Sequence, residues 1–157
     1  MTSFIGDYAC KVDPKGRIML PQGFIKQMPE VARDKFVIKK DIFEKCLVLY
    51  TKDEWHRQIE IIAKNTNRYF NQEHRMFIRE FSKDTAEIEL DANNRLLIPA
   101  RLLKLADIDK DVIVAGQLGQ IEIWSKELYE QTGSQIEDFG ELATKILGGN
   151  LQNPDAP

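Results

Sequence analysis

Short segments in which apolar and polar residues alternate predict half-buried β-strands along much of the chain. The clearest is Ala86–Leu90, where Ile88 and Leu90 fall on one face and two glutamates fall on the other. Tyr8–Val12 has the same pattern in a less regular form. More continuous apolar segments predict four further strands, at Phe36–Ile38, Leu47–Tyr50, Val112–Ala115 and Ile121–Trp124.

Two short helices are predicted where a proline follows a strand. Pro21 and Pro99 suit the first turn of a helix, because the N–H that proline lacks would be unpaired there. We therefore expect helices near Gln22–Met28 and Ala100–Ala106.

Longer helices are predicted elsewhere. Thr51, followed three residues later by Glu54, is a capping box that starts a helix through about Ala63. Ser125 can cap the matching helix in the second half of the chain. Apolar residues at helical spacing predict two amphipathic helices, one carrying Phe70, Phe77, Ile78 and Phe81, and one carrying Ile136, Phe139, Ala143, Ile146 and Leu147 that ends at Gly148 and Gly149.

The chain contains one structural unit twice. Val12–Pro21 matches Leu90–Pro99, and Cys46–Lys52 matches Gln120–Lys126 after a longer connection in the first copy. Three residues of the first match are identical in both copies: Asp13 and Asp91, Arg17 and Arg95, Pro21 and Pro99. Each copy is predicted to run strand, tight turn, strand, short helix, strand, turn, strand, helix.

Each copy has a tight turn, at Asp13–Gly16 and at Asp91–Asn94. An aspartate at the start of a turn accepts backbone hydrogen bonds, and a glycine at its end tolerates positive φ. Asparagine stands at the end of the second turn and is the next most tolerant residue. We assign structural roles in the turns to Asp13, Gly16, Asp91 and Asn94.

The arginine after each turn allows two interpretations. Arg17 and Arg95 can pair with the turn aspartate or a neighbour across the hairpin, or they can be cations projected from a rigid two-stranded ribbon. A β-ribbon fits the major groove of DNA, where arginine reads guanine or grips phosphate. Lys15 lies at the tip of the first turn and is either an ordinary solvated lysine or a DNA contact. Asn93 occupies the same place in the second turn. It is present either because asparagine favours turns or because it contacts a phosphate or an adenine edge.

Composition and charge narrow the function classes. The chain has 157 residues and a net charge of −3, so a nucleic-acid partner requires a local cationic site. No apolar run approaches the roughly 20 residues that span a bilayer, and no secretory signal is present, so a cytoplasmic location is expected. Cys10 and Cys46 are expected to be buried, inert thiols.

The sequence contains no metal-binding, phosphate-binding or nucleophile motif. An enzymatic function is therefore poorly supported, and no cofactor or metal is predicted.

The repeat also predicts the organisation of the fold. Because a four-stranded unit is a poor folder alone, two copies are expected to interleave strands in one pseudo-symmetric barrel. The fold class is α+β and β-rich, with flanking helices. The predicted boundaries are 1–66 for the first repeat, 67–83 for a linker helix, 84–132 for the second repeat, 133–149 for a C-terminal helix and 150–157 for a disordered tail.

These residues together resemble the MraZ family. The resemblance covers the chain to about Glu130, and the motifs that carry it are Phe4–Tyr8, Asp13–Arg17 with Pro21 and Phe24, Tyr50–Trp55, Arg75–Phe81, Asp91–Arg95 with Pro99, and Gly116–Trp124. It implies a duplicated AbrB-type swapped-hairpin fold with a double-psi-type barrel. It also implies a nucleoid-associated transcriptional regulator of the division and cell-wall gene cluster that forms rings and binds repeated promoter boxes.

The resemblance assigns DNA contacts to Arg17, Arg95 and the turn-tip cation Lys15. The second motif departs from the family pattern, because it ends in Asn94-Arg95 and carries Asn93 rather than a lysine at its tip. The second turn is therefore expected to contact DNA more weakly, or to contact a different base. The expected partners are double-stranded promoter DNA and further copies of the chain, with no membrane or small-molecule substrate. The alternative is a ring-forming protein-interaction module without direct DNA readout.

Overall fold

The computed structural model describes residues 2–152, which form eight strands and six α-helices. The strands are β1 (Asp7–Lys11), β2 (Arg17–Met19), β3 (Lys35–Lys40), β4 (Leu47–Thr51), β5 (Thr85–Glu89), β6 (Arg95–Leu97), β7 (Asp111–Gln117) and β8 (Gln120–Ser125). The helices are α1 (Gln22–Gln27), α2 (Lys52–Asn65), α3 (Gln72–Ser82), α4 (Ala100–Leu105), α5 (Lys126–Thr132) and α6 (Phe139–Gln152). The predicted α+β, strand-rich class is confirmed.

The chain divides into two compact units, Met1–Lys126 and Glu127–Pro157. All eight strands lie in the first unit, and α6 lies in the second. Within residues 2–152, no helix is long and apolar enough to cross a membrane.

The strands of the two repeats are exchanged in one sheet. Its order is β1-β7-β8-β4-β3-β5, and β2 and β6 form a separate two-stranded sheet. The first strand of each repeat therefore pairs with the third strand of the other, since β1 joins β7 and β5 joins β3. Swapping the repeats leaves both sheets unchanged, which gives the unit its pseudo-two-fold symmetry.

The larger of two hydrophobic clusters forms the core that holds the two repeats together. Equivalent residues of each repeat lie fully inside it, including Ile18 and Leu96 from the two-stranded sheet and Phe24 and Leu102 from α1 and α4. Neither repeat could bury these side chains alone, because the strands that cover them belong partly to the other repeat.

The last helix of the first repeat, α2, begins where the sequence predicts. The Glu54 backbone N–H donates to the Thr51 hydroxyl oxygen at 3.2 Å, so Thr51 caps α2. The rest of the connection to the second repeat differs from the prediction, because α3 begins at Gln72 rather than near residue 67. Asn71 caps it by accepting the His74 N–H at 3.1 Å, and the preceding residues form a turn.

The C-terminal region is also divided differently. A single helix was predicted from residue 133, but a 3-10 turn at Gly133–Gln135 separates α5 from α6. Helix α6 continues through Gly148 and Gly149, where a stop was predicted. A glycine inside a helix costs about 1 kcal/mol relative to alanine, which disfavours a helix without forbidding it. Residues 153–157 of the predicted tail lie outside the described residues.

The two cysteines are free and differ in burial. Cys46 is buried, as expected, whereas Cys10 on the edge strand β1 is only partly covered. Burial raises the pKa of both thiols, so both favour the neutral form.

Replacing Phe24 with alanine should destabilise the protein by about 3–5 kcal/mol, as expected for a fully buried aromatic side chain. Phe24 is 0% exposed, and its ring meets those of Phe4 and Tyr8 edge-on at centroid distances of 5.6 and 5.1 Å. Urea unfolding at neutral pH measures the change. Phe43→Ala, at an 89% exposed position, is the matched control and should stay within about 0.5 kcal/mol of the parent. Equal losses in the two variants would contradict this placement of the core.

Candidate nucleic-acid interface

The first turn is held closed by the side chain of Asp13. Its Oδ1 accepts the backbone N–H groups of Lys15 at 2.9 Å and Arg17 at 2.8 Å. Its Oδ2 accepts the Arg17 Nε–H at 2.7 Å. A backbone bond from the Gly16 N–H to the Asp13 carbonyl at 2.9 Å completes the turn. One carboxylate thus fixes both the turn and the start of the arginine side chain.

The second turn repeats this arrangement. Asp91 Oδ1 accepts the backbone N–H groups of Asn93 at 2.8 Å and Arg95 at 2.9 Å. Its Oδ2 accepts the Arg95 Nε–H at 3.1 Å. Since both turns use the same contacts, the identical Asp and Arg residues of the repeat have one shared geometric role.

The last residue of each turn adopts the left-handed backbone conformation, with φ of 88° at Gly16 and 61° at Asn94. At Gly16 a Cβ atom would also lie 3.2 Å from the Ile98 carbonyl oxygen, so a side chain there is strained and crowded. Asparagine accepts this conformation more readily than most residues, which explains its presence in the second turn.

The ribbon that carries the arginines is built differently from the predicted hairpin. The strands on either side of the first turn share only one isolated bridge, between Val12 and Ile18. Beyond it they separate, because β1 joins β7 while β2 joins β6. The two-stranded ribbon is therefore formed by the two repeats together, with one arginine-bearing turn at each end.

The register of β2 and β6 places both arginines on one face. Arg17 lies opposite Leu97 and Met19 lies opposite Arg95, while Ile18 and Leu96 point into the core. Arg17 and Arg95 are thus diagonal neighbours, a relation that puts side chains roughly 7–8 Å apart at their bases. Two cations from distant parts of the sequence share one small outward surface, which we call the ribbon face and define by these four outward residues.

Each guanidinium is oriented by its aspartate but remains available. Both arginine side chains are 28% exposed. Of each guanidinium, the aspartate binds only the Nε–H, and within the described part of the chain the terminal amino groups form no hydrogen bond. Those terminal groups are the ones that bind guanine or phosphate with two parallel hydrogen bonds.

The same contacts alter the acidity of the two aspartates. Hydrogen bonds from the backbone N–H and guanidinium of Arg17, together with the N–H of Lys15, lower the pKa of Asp13. The pKa of Asp91 is lowered in the same way by Arg95 and Asn93. Both carboxylates are therefore ionised throughout the neutral range.

The turn tips and their surroundings differ between the two ends of the ribbon. Lys15 and Asn93 are both exposed. Beside the first turn lies a groove of about 730 Å³ whose lining includes Lys15, Lys104 and Lys110. Neither Lys104 nor Lys110 was predicted from the sequence to lie at the site. Lys110 reaches the first turn because its carbonyl accepts the Val12 N–H at 2.8 Å, a contact that depends on the strand exchange.

Two further sets of charged residues lie on helices α2 and α3. Glu54 on α2 accepts hydrogen bonds from Arg57 at 2.9 and 2.7 Å, and these lower its pKa. Arg75 and Arg79 lie four residues apart on α3, and neither forms an ion pair within residues 2–152.

The fold and the turns define a duplicated, strand-exchanging α+β protein with one arginine-bearing turn per repeat. A family model described as "MraZ protein, putative antitoxin-like" matches the chain twice, over residues 3–80 and 81–146. The chain therefore belongs to the MraZ family, and its curated relatives are named as transcriptional regulators, not as enzymes.

Curated relatives agree with this assignment over nearly the whole chain. The protein is similar to Transcriptional regulator MraZ of Christiangramia forsetii, with 39% identity over 153 residues and 96% of each chain covered. The relative of the same name from Phocaeicola vulgatus is 41% identical, covering 94% of this chain and 95% of its own. That of Clostridium beijerinckii is 38% identical, covering 91% and 96%.

Acid should weaken the protein partly through the two turns. Because the pKa values of Asp13 and Asp91 are lowered in the folded state, their contribution to stability is complete above their usual pKa of about 3.9 and is lost as pH falls through the lower folded values. The double variant Asp13→Asn, Asp91→Asn should be less stable at neutral pH and lose less on acidification below about pH 4. Urea unfolding across this range tests the prediction, and parallel curves for parent and variant would refute it.

Proposed function

We propose that the chain is a sequence-specific DNA-binding regulator that contacts promoter DNA with its ribbon face. The observation that carries the proposal is the placement of Arg17 and Arg95 on one outward surface, each fixed at Nε by an aspartate. A two-stranded ribbon fits the major groove, which is about 12 Å wide, and arginine is the most common reader of guanine there. Lys15, Asn93 and two further lysines of the groove supply contacts to phosphates beside the ribbon, although the groove also contains Asp13 and Asp109.

The proposal extends to the architecture that supports the ribbon. We interpret the exchange of β1 and β5 between the repeats as an AbrB-type swapped hairpin in a double-psi-type barrel. Its support is the order of the strands and the location of both turns at the ends of β2–β6. The turns then belong to a rigid body whose core is shared by both repeats.

Affinity in this proposal comes from several ribbons acting together. The chain has a net charge of −3, so one ribbon face with its two arginines, together with Lys15 in the adjoining turn, should bind weakly. A homo-oligomeric ring would present several such faces to repeated promoter boxes, and linked sites gain affinity through effective concentration. From the family resemblance we propose the division and cell-wall gene cluster as the target and the nucleoid as the place of action.

A protein-interaction module is the second candidate. The observation in its favour is the number of large apolar side chains on the surface, since Phe43 is 89% exposed and Phe70 is 92% exposed. Such residues are typical of contacts between proteins. Exposed apolar residues are compatible with ring assembly in both candidate functions. The candidates differ at the ribbon face, which binds DNA only in the first.

Arg17→Ala should weaken binding to the DNA upstream of the protein's own gene while leaving thermal stability nearly unchanged. Loss of one arginine contact costs about 1–3 kcal/mol of binding free energy, whereas an ion pair at the protein surface contributes about 0–1 kcal/mol to stability. Arg75→Ala on α3 is the matched control and should bind like the parent. Fluorescence anisotropy and thermal unfolding provide the two measurements. A large loss of stability with unchanged binding per folded molecule would support a purely structural arginine.

Binding should depend steeply on salt and on the number of boxes. Three tandem boxes on one duplex should bind far more tightly than one, and the salt dependence should be steeper, because more phosphates are neutralised in the same complex. Titrations of one-box and three-box duplexes of equal length at several salt concentrations measure both effects. Equal affinities for the two duplexes would rule out binding through several linked ribbons.

A further inference from the structure

The centre of the ribbon face is apolar. Met19 and Leu97 lie on the same face as the two arginines and are 55% and 56% exposed. Because successive residues of a strand alternate between faces, a half-exposed strand ordinarily carries polar residues on its outward side. Here each three-residue strand has one arginine and one large apolar residue outward, so two of the four outward side chains are apolar.

The internal repeat shows that these two exposed apolar residues are related to each other. Single exposed apolar side chains are common and need no explanation. Met19 and Leu97, however, occupy equivalent positions of the two repeats, two residues after Arg17 and Arg95. Two copies of the unit have thus kept a large apolar side chain at the same exposed position beside the same arginine.

The pairing pattern sets each apolar residue close to an arginine. Backbone bonds run from the Ile98 N–H to the Gly16 carbonyl and from the Leu20 N–H to the Asn94 carbonyl, both at 2.9 Å. The pairs Arg17–Leu97 and Arg95–Met19 lie between these hydrogen-bonded positions. Such pairs have Cα atoms about 4.5 Å apart, and their side chains are closer than in hydrogen-bonded pairs. An arginine that reaches a base therefore brings its apolar partner to the same or a neighbouring base pair.

Only one apolar group is exposed on base edges in the major groove, the 5-methyl group of thymine. Resting on the DNA-binding role proposed above, we infer that Met19 and Leu97 are specificity residues that contact thymine methyl groups in the box bound by Arg17 and Arg95. The arginines provide hydrogen bonds, and the apolar pair favours thymine at adjacent positions. Charge complementarity supports DNA as the partner, because the arginines on either side of this apolar pair are cations.

The test measures how the effect of removing the apolar side chains depends on the thymine methyl groups of the DNA. A duplex with one box, selected by the protein from a random library, is prepared with thymine and with deoxyuridine, which lacks only the methyl group. The parent should bind the deoxyuridine duplex more weakly, by roughly fourfold for each methyl group contacted. The double variant Met19→Ala, Leu97→Ala should bind both duplexes with the same affinity. Val31→Ala, at an apolar position that is 89% exposed outside the ribbon, is the matched control and should keep the parent's preference.

The outcomes separate this inference from the proposed function. Equal affinity of the parent for the two duplexes, a selected box without thymine, or an unchanged methyl preference in the double variant would overturn the inference. If binding nevertheless required Arg17, the proposed DNA-binding function would stand. A change in oligomer mass of the double variant, without a change in methyl preference, would assign the apolar pair to contacts between copies of the chain and likewise overturn the inference.

Discussion

Pairing between β2 and β6 is the interaction on which the arrangement of the site depends. Each strand is only three residues long, and its inward residue, Ile18 or Leu96, is almost completely buried. These strands come from different repeats, so the ribbon exists only when both repeats fold together. The shared core thereby fixes two turns that are far apart in sequence at opposite ends of one small surface.

The turn aspartates convert this shared surface into a defined arrangement of charge. Asp13 and Asp91 each accept two backbone N–H groups and one Nε–H group, so the carboxylate orients the arginine without using its terminal amino groups. The interpretations of Arg17 and Arg95 raised by the sequence are therefore compatible. Pairing with aspartate orients each guanidinium, while the arginine side chain remains 28% exposed. An acidic protein can present such a site because the position of charge, rather than the net charge, governs local binding.

Local patterns predicted the elements well, whereas pairing between elements required the structure. Proline, the capping box and alternation located α1, α4, α2 and β5, since these signals act over a few residues. They could not reveal that β1 joins β7, or that Lys110 lies beside the first turn, because such contacts depend on the partner repeat.

The wrong prediction at Gly148 and Gly149 has a different origin. Glycine lowers helix propensity by about 1 kcal/mol, an amount that the surrounding helix can offset. At the ribbon face, too, the local signal was visible and the pairing was not. The sequence identified the two arginines but not the register that sets Met19 and Leu97 beside them.

A crystal structure of the protein bound to a duplex containing its box would test the central claim most directly. The quantity to measure is the distance from the terminal amino groups of Arg17 and Arg95 to the nearest DNA atoms. We predict that both guanidinium groups of one chain enter the same groove and lie within hydrogen-bonding distance of bases or phosphates. DNA bound to another surface, such as that of α3 with Arg75 and Arg79, with the ribbon face left in solvent, would contradict it.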